Sequence, residues 1–151
     1  MKNILMIKSF ENGSKLYLDN GEVETIDIKP LKLIKELCIK NGSSLEGRIA
    51  SFKHLTSTRQ KPCVMIKDGL VYIPTFSFNN IECSYLLYNR IVWVKKDEHN
   101  CIVLFDNGLK LKVDVSSRTL RKQLKRCDLF KEKLLSKDNL DYKKIVSRIG
   151  D

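Results

Sequence analysis

The sequence predicts an α+β fold of two pseudo-repeated halves, each a strand–strand–strand–helix unit with antiparallel strands. Three observations predict it. Residues 90–127 read as three short apolar runs followed by an amphipathic helix. The same pattern stands at the front of the chain, shifted by about 87 positions without a gap. The tripeptide Asp-Asn-Gly occupies matching places in both, Asp19-Asn20-Gly21 and Asp106-Asn107-Gly108, where it suits a tight hairpin turn. An identical tripeptide with matched apolar periodicity on both sides argues for two copies of one unit. Such copies suit a partner with repeated spacing, and serve equally well as a plain scaffold.

The first unit spans residues 1–41. Residues 3–28 supply a hairpin and a third strand, with turns at Asn12-Gly13 and Asp19-Asn20-Gly21. Pro30 suits the first turn of a helix, where its missing amide hydrogen would have no intrahelical partner. Leu31, Ile34, Leu37 and Cys38 form the apolar face of that helix, which ends near Asn41-Gly42. A central segment follows, residues 42–89. Ser43 or Ser44 can cap a short helix through about His54, with Leu45, Ile49, Phe52 and Leu55 inward and Arg48, Lys53 and His54 outward. A polar, basic loop, residues 56–62, leads to two apolar runs, 63–66 and 70–73, around the turn Lys67-Asp68-Gly69. Residues 74–80 break the pattern, and two asparagines among hydroxyls and aromatics there either read base edges or satisfy their own backbone. Residues 82–88 are apolar and aromatic.

The second unit spans residues 90–135. Its third run alternates Leu109, Leu111, Val113 and Val115 against Lys110, Lys112 and Asp114, the period of a half-buried strand. Ser116 or Ser117 then caps a helix with Leu120, Leu124 and Cys127 on one face. Residues 136–151 form a tail or terminal helix, with Tyr142, Ile145, Val146 and Ile149 at helical spacing.

At 151 residues, 42% hydrophobic and 30% charged, the chain suits one compact domain or two closely packed halves. No apolar run approaches the roughly 20 residues that span a bilayer. The start, Met1 to Phe10, is too soon interrupted by charge for a secretory signal, so the chain is expected in the cytoplasm. Five cysteines without a CxxC pair fit a reducing compartment better than disulfides or a zinc ribbon. The two histidines make no ligand cluster, and neither a phosphate-binding glycine loop nor a metalloprotease motif is present. The carboxylates are interspersed with lysines rather than paired. No catalytic residue, metal or cofactor is therefore expected.

The net charge of +10 points to a polyanionic partner. Nucleic acid fits better than a membrane surface, because no long amphipathic stretch presents Trp or Phe. The basic residues gather in two places. Lys53, Arg59, Gln60 and Lys61 lie in and before the polar loop, whose hydroxyls, guanidinium, amide and ammonium are the groups that bond phosphates and base edges. Arg118, Arg121, Lys122 and Lys125, with Arg126 beside them, share the outer helical face, with no carboxylate between 118 and 126 to offset them.

Taken in order, Lys29-Pro30-Leu31, Cys38, Gly42-Ser43-Ser44, Gly47-Arg48, Lys61-Pro62, Pro74-Thr75 with Ser77, Cys83, Phe105 with Asn107-Gly108, Ser116, Gln123 and Arg126 resemble ComK-type competence transcription factors. The resemblance covers roughly residues 28–130. It implies a transcription activator, associated with the nucleoid, that binds A/T-rich boxes in double-stranded DNA, chiefly through the minor groove and as a homo-oligomer. It singles out Arg48, Lys61, Gln123 and Arg126 for DNA contact. Tyr85 stands where the family pattern has Trp. The family also implies a regulatory adaptor protein as a partner, although the segment that longer members use for adaptor-driven proteolysis has no evident counterpart here. By analogy of elements alone, the fold is also similar to LytTR-type DNA-binding domains. The alternative is a protein-interaction module without specific DNA binding, its partner meeting the apolar surface near residues 81–88.

Overall fold

A computed structural model describes residues 2–135 and 146–147. The expected tail or helix over 136–151 lies outside the described residues apart from Val146 and Ser147. Among the described residues the chain is α+β, with antiparallel sheets and α-helices. In order it runs β1 (Ile4–Phe10), β2 (Gly13–Leu18), β3 (Val23–Ile26), α1 (Pro30–Lys40), α2 (Leu45–Thr56), β4 (Val64–Lys67), β5 (Leu70–Pro74) and β6 (Tyr85–Leu87). A single 3₁₀ turn, Tyr88–Arg90, precedes β7 (Ile91–Asp97), β8 (Asn100–Phe105), β9 (Lys110–Val113) and α3 (Ser117–Leu134).

Two sheets result. Six strands pair in the order β3-β2-β1-β6-β5-β4, and three in the order β7-β8-β9. The central segment thus completes the sheet begun by β1–β3, through Met6 opposite Leu86 and Ile7 opposite Tyr85. Leu5, Met6 and Ile7 are buried in succession, as are Tyr72 with Ile73 and Tyr85 to Leu87. Such unbroken apolar runs mark strands covered on both faces. The Tyr72 hydroxyl crosses the sheet to donate to Ile4 O at 2.7 Å.

Adding 87 to each residue number converts the pairing of β1 with β2 into that of β7 with β8. Ile4 opposite Leu18 becomes Ile91 opposite Phe105, and Phe10 opposite Gly13 becomes Asp97 opposite Asn100. The irregularity between Ile4 and Met6 reappears between Ile91 and Trp93. Ser14 opposite Ile26 likewise becomes Cys101 opposite Val113. Both Asp-Asn-Gly turns place glycine in the left-handed region, Gly21 at φ 90° and Gly108 at φ 89°, a conformation that costs glycine little. The asparagine side chain accepts from the amide two residues on in each turn, Glu22 N–H and Leu109 N–H.

The two turns also meet. Arg90 donates through Nη1 to Asp19 Oδ2 at 3.1 Å and through Nε to Asp106 Oδ2 at 2.6 Å. Asn107 Nδ2 donates to Asp19 O at 2.9 Å. One guanidinium therefore bonds the aspartates of both Asp-Asn-Gly turns.

The helix starts are set by serines. Ser44 Oγ accepts from Gly47 N–H at 3.0 Å and Ser116 Oγ from Thr119 N–H at 3.1 Å, so each satisfies an amide the helix leaves unpaired. Helix α3 packs on α2 through Phe130 and Phe52, whose ring centroids are 4.9 Å apart, a contact of about 0.5–1.5 kcal/mol beyond the area it buries. All five cysteines are buried as free thiols. Cys63, just before β4, and Cys127 of α3 touch, sulfur to sulfur, at 2.8 Å. Among the described residues no helix is long and apolar enough to cross a membrane.

Candidate nucleic-acid interface

The basic loop after α2 is held at both ends. Thr56 Oγ1 donates to Phe52 O and meets Thr58 Oγ1, each at 2.7 Å, and Thr58 is buried. Pro62 and Cys63 anchor the far end inside the molecule. Ser57 (φ 56°) and Lys61 (φ 47°) take left-handed backbone, which turns the segment sharply and leaves Arg59 and Gln60 outermost. A non-glycine residue in that region carries strain, and such strain concentrates where a loop must present particular side chains.

This loop faces a second one. Lys53, Arg59, Gln60, Lys61 and Pro62 form one wall of a groove of about 610 Å³, and Phe76 to Asn80 form the other. One wall comes from the end of α2 and the loop after it, the other from the loop after β5. The expected residues Lys53, Arg59, Gln60 and Lys61 are thereby brought together, joined by Asn79 and Asn80. The outer face of α3 carries Arg118, Lys122 and Lys125, all exposed, with Arg126 half-buried at its flank. The ion pairs made between described residues involve Lys2, Arg90 and Lys112, and none of them involves Lys53, Arg59, Lys61, Arg118, Lys122, Lys125 or Arg126.

Three expected contact residues are placed otherwise than on a free surface. Gln123 is buried, with 1% of its surface exposed, and its Nε2 donates to Pro74 O at 2.8 Å. It stands three residues after Leu120 and four before Cys127, so it falls on the packed stripe of α3 and ties that helix to β5. Arg48 is half-buried. Its Nε donates to Ser43 Oγ at 2.9 Å and its Nη2 reaches Ile66 O at 3.4 Å, bracing the α1–α2 corner against β4. Arg121 is an exposed residue, but its Nη2 donates to Val94 O at 2.8 Å. That carbonyl belongs to β7, an edge strand, where a charged side chain blunts unwanted pairing.

Tyr85 is fully buried and its ring lies over Phe78, centroids 6.2 Å apart, beneath the loop that forms the second wall. It therefore supports the interface from inside. Burial pushes its phenol up, as it does that of Tyr72. Ile81, with 81% of its surface exposed, tops the same loop, and composition alone does not single it out. In sequence it opens the apolar stretch 81–88, of which Cys83, Tyr85, Leu86 and Leu87 are buried and Ile81 stays on the surface. Among the described residues no group of three or more His, Cys, Asp or Glu is placed to hold a metal ion.

The sequence matches the ComK protein family over residues 2–139. It is also similar to the competence transcription factor of Bacillus subtilis (strain 168), with 25% identity over 121 residues that cover 78% of this chain and 62% of that relative. This chain thus spans less than two thirds of that relative's length. No solved structure matches it.

Proposed function

The chain belongs to the ComK protein family, and from that premise we propose that it is a DNA-binding transcription regulator, a competence-type activator that recognises A/T-rich promoter boxes, chiefly through the minor groove, as an oligomer. The observation that carries this reading is the groove in which Lys53, Arg59 and Lys61, none of them in an ion pair made between described residues, face Asn79 and Asn80. The cations bind phosphates and release their counterions, while arginine and the amides reach base edges in a groove whose negative potential deepens as A-tracts narrow it. Arg118, Lys122, Lys125 and Arg126 add phosphate contacts along α3. The matched pairings of β1–β3 and β7–β9 support reading these units as two copies, a frame suited to a target with repeated spacing.

Fluorescence anisotropy on a duplex with paired A/T boxes and on a G/C-substituted duplex, each at two salt concentrations, tests the proposal. The A/T duplex should bind more tightly, and affinity should fall steeply with salt. The double variant Arg59→Ala, Lys61→Ala should lose about two units of the log–log salt slope and roughly tenfold or more in affinity. Unchanged binding would remove this loop from the interface; equal, weak binding to both duplexes would reduce the charge to a nonspecific role.

A further inference from the structure

Resting on that reading, we propose that Ile81 is an apolar wedge that enters the minor groove and unstacks a base step beside the groove-reading asparagines. Ile81 is the most exposed large apolar residue among those described, at 81%. A lone exposed isoleucine is ordinary in itself. Its mounting is not.

The loop from Thr75 to Ser84 is closed at its neck by Thr75 N–H to Ser84 O and Ser84 N–H to Thr75 Oγ1, both 2.9 Å. Inside it, Asn80 N–H donates to Ser77 O and Cys83 N–H to Asn80 O, each at 3.0 Å, and Glu82 N–H donates to Asn80 Oδ1 at 2.8 Å. The Cys83 thiol donates to Phe76 O at 3.3 Å, and Phe78 rests on buried Tyr85. A loop so tied holds its tip in place before any partner arrives, and preorganisation of this kind lowers the cost of binding.

The surroundings select the partner. On one side lies the groove with Lys53, Arg59 and Lys61. On another, Ile81 itself lines a groove of about 460 Å³ that holds Lys29 at the start of α1, with Glu11 and the amides of Asn12, Asn79 and Asn80. Cations without a carboxylate among them thus lie on the first side, and amides with one cation and one carboxylate on the second. The carboxylates Glu82 and Asp114 lie on a third side, in a groove shared with Lys8 and Lys112. Because Asn80 Oδ1 already accepts from Glu82, the end of its amide left for a ligand is the donor Nδ2. Acceptors, adenine N3 and thymine O2, are what an A·T pair shows in the minor groove. Isoleucine between such donors is of the type that wedges into minor-groove steps.

A wedge also supplies what the donors lack. Minor-groove hydrogen bonds barely order A against T. Unstacking does, because TA steps open far more readily than the steps of an A-tract. Ile81 therefore confers a preference for a TA step at a fixed place in the box.

The test uses the full chain with duplexes that place either TA or AA at one step of an A/T box, carrying 2-aminopurine beside it and a dye pair at the ends. The wild type should raise 2-aminopurine fluorescence, bend the TA duplex and prefer it. Ile81→Ser should abolish the fluorescence rise and the TA preference and weaken binding on the order of tenfold, with its salt slope unchanged because the cations remain. Ile81→Leu should behave as the wild type. Salt-sensitive A/T binding in which Ile81→Ser keeps the bend and the step preference overturns the wedge and leaves the regulator standing. Failure of the wild type to bind either duplex overturns both.

Discussion

From β1 to β3 each pairing has its counterpart 87 residues on, down to the irregularity beside Ile4 and Ile91. Beyond the third strand the correspondence ends. In α1 the buried stripe is Pro30, Ile34 and Cys38. The positions 87 later are Ser117, Arg121 and Lys125, of which Ser117 alone is buried, while α3 instead buries Leu120, Gln123, Cys127 and Phe130. The two helices have turned different faces inward. Their neighbours explain it: α1 lies against β1, β4 and α2, whereas α3 lies against β5, β7, β8 and α2. A hairpin's register is set locally by its turn and its pleat. A helix has no such lock, and rotates to bury whatever face its surroundings accept. That rotation leaves the basic face of α3 turned outward.

Exchanging residues at one matched position breaks the comparison most sharply. Ile34 is fully buried, so Ile34→Arg places an unpaired charge in the core and should cost at least about 4 kcal/mol, enough to leave much of the chain unfolded in urea titrations. Arg121→Ile, the reverse exchange, should cost no more than about 1–1.5 kcal/mol, mainly through the lost bond to Val94 O. It should also promote self-association, visible by sedimentation, because the outer edge of β7 loses its charge. The matching edge of β1 is occupied by β6. Equal losses for the two variants would mean that the helices bury equivalent faces after all.

Arg90 offers a subtler probe, since its one side chain joins the two Asp-Asn-Gly turns. Arg90→Ala should destabilise by about 1 kcal/mol at low salt and by less at high salt, as for other partly exposed ion pairs. Partial burial raises the Asp19 carboxyl, but the Asn3 amide and the Arg90 guanidinium outweigh it and hold the group below its usual range. A carboxyl depressed in the folded state stabilises above its ordinary value and loses that contribution as pH falls through the folded one. The deficit of Arg90→Ala should therefore shrink in acid. A deficit independent of pH would assign Arg90 a packing role only.

What was legible in the sequence follows the same division. The Asp-Asn-Gly turns, the alternation of Leu109 to Val115, and the capping serines act within a few residues, and each appears where local chemistry put it. The pairing of Met6 with Leu86 joins strands 80 residues apart, and no local period encodes it. The groove was half legible: Lys53, Arg59 and Lys61 declare themselves by charge, but Asn79 and Asn80 become its other wall only through folding. Gln123 shows the opposite error. Its polarity suggests surface, yet its spacing from Leu120 and Cys127 places it inside. Arg48 likewise looks free in sequence, because Ser43 Oγ and Ile66 O, which occupy its guanidinium, come together only in the folded corner.

The smallest effect tests the likeness of the strands themselves. Cys101 is buried where the first unit has Ser14, whose hydroxyl donates to Ile28 O at 2.5 Å. The carbonyl matching Ile28 is that of Val115. If the strand frames are equivalent, Cys101→Ser gains the same bond and should lie within about 1 kcal/mol of the wild type at pH 7, where a buried hydroxyl without a partner would cost more. Its signature belongs to alkaline pH. Burial pushes the Cys101 thiol from 9.0 up to about 11, against a smaller opposing pull from Arg121. A group raised in the folded state contributes fully below its unfolded value and loses that contribution as pH rises through the folded one. The wild type should accordingly lose stability between about pH 9 and 11, and Cys101→Ser should lose less of it. Cys38, Cys83 and Cys127, also raised by burial, keep the difference partial. Thermal melts of both proteins at pH 7 and pH 10 decide the matter. A serine variant that melts several degrees lower at pH 7 would show that the carbonyl of Val115 is not where that of Ile28 is.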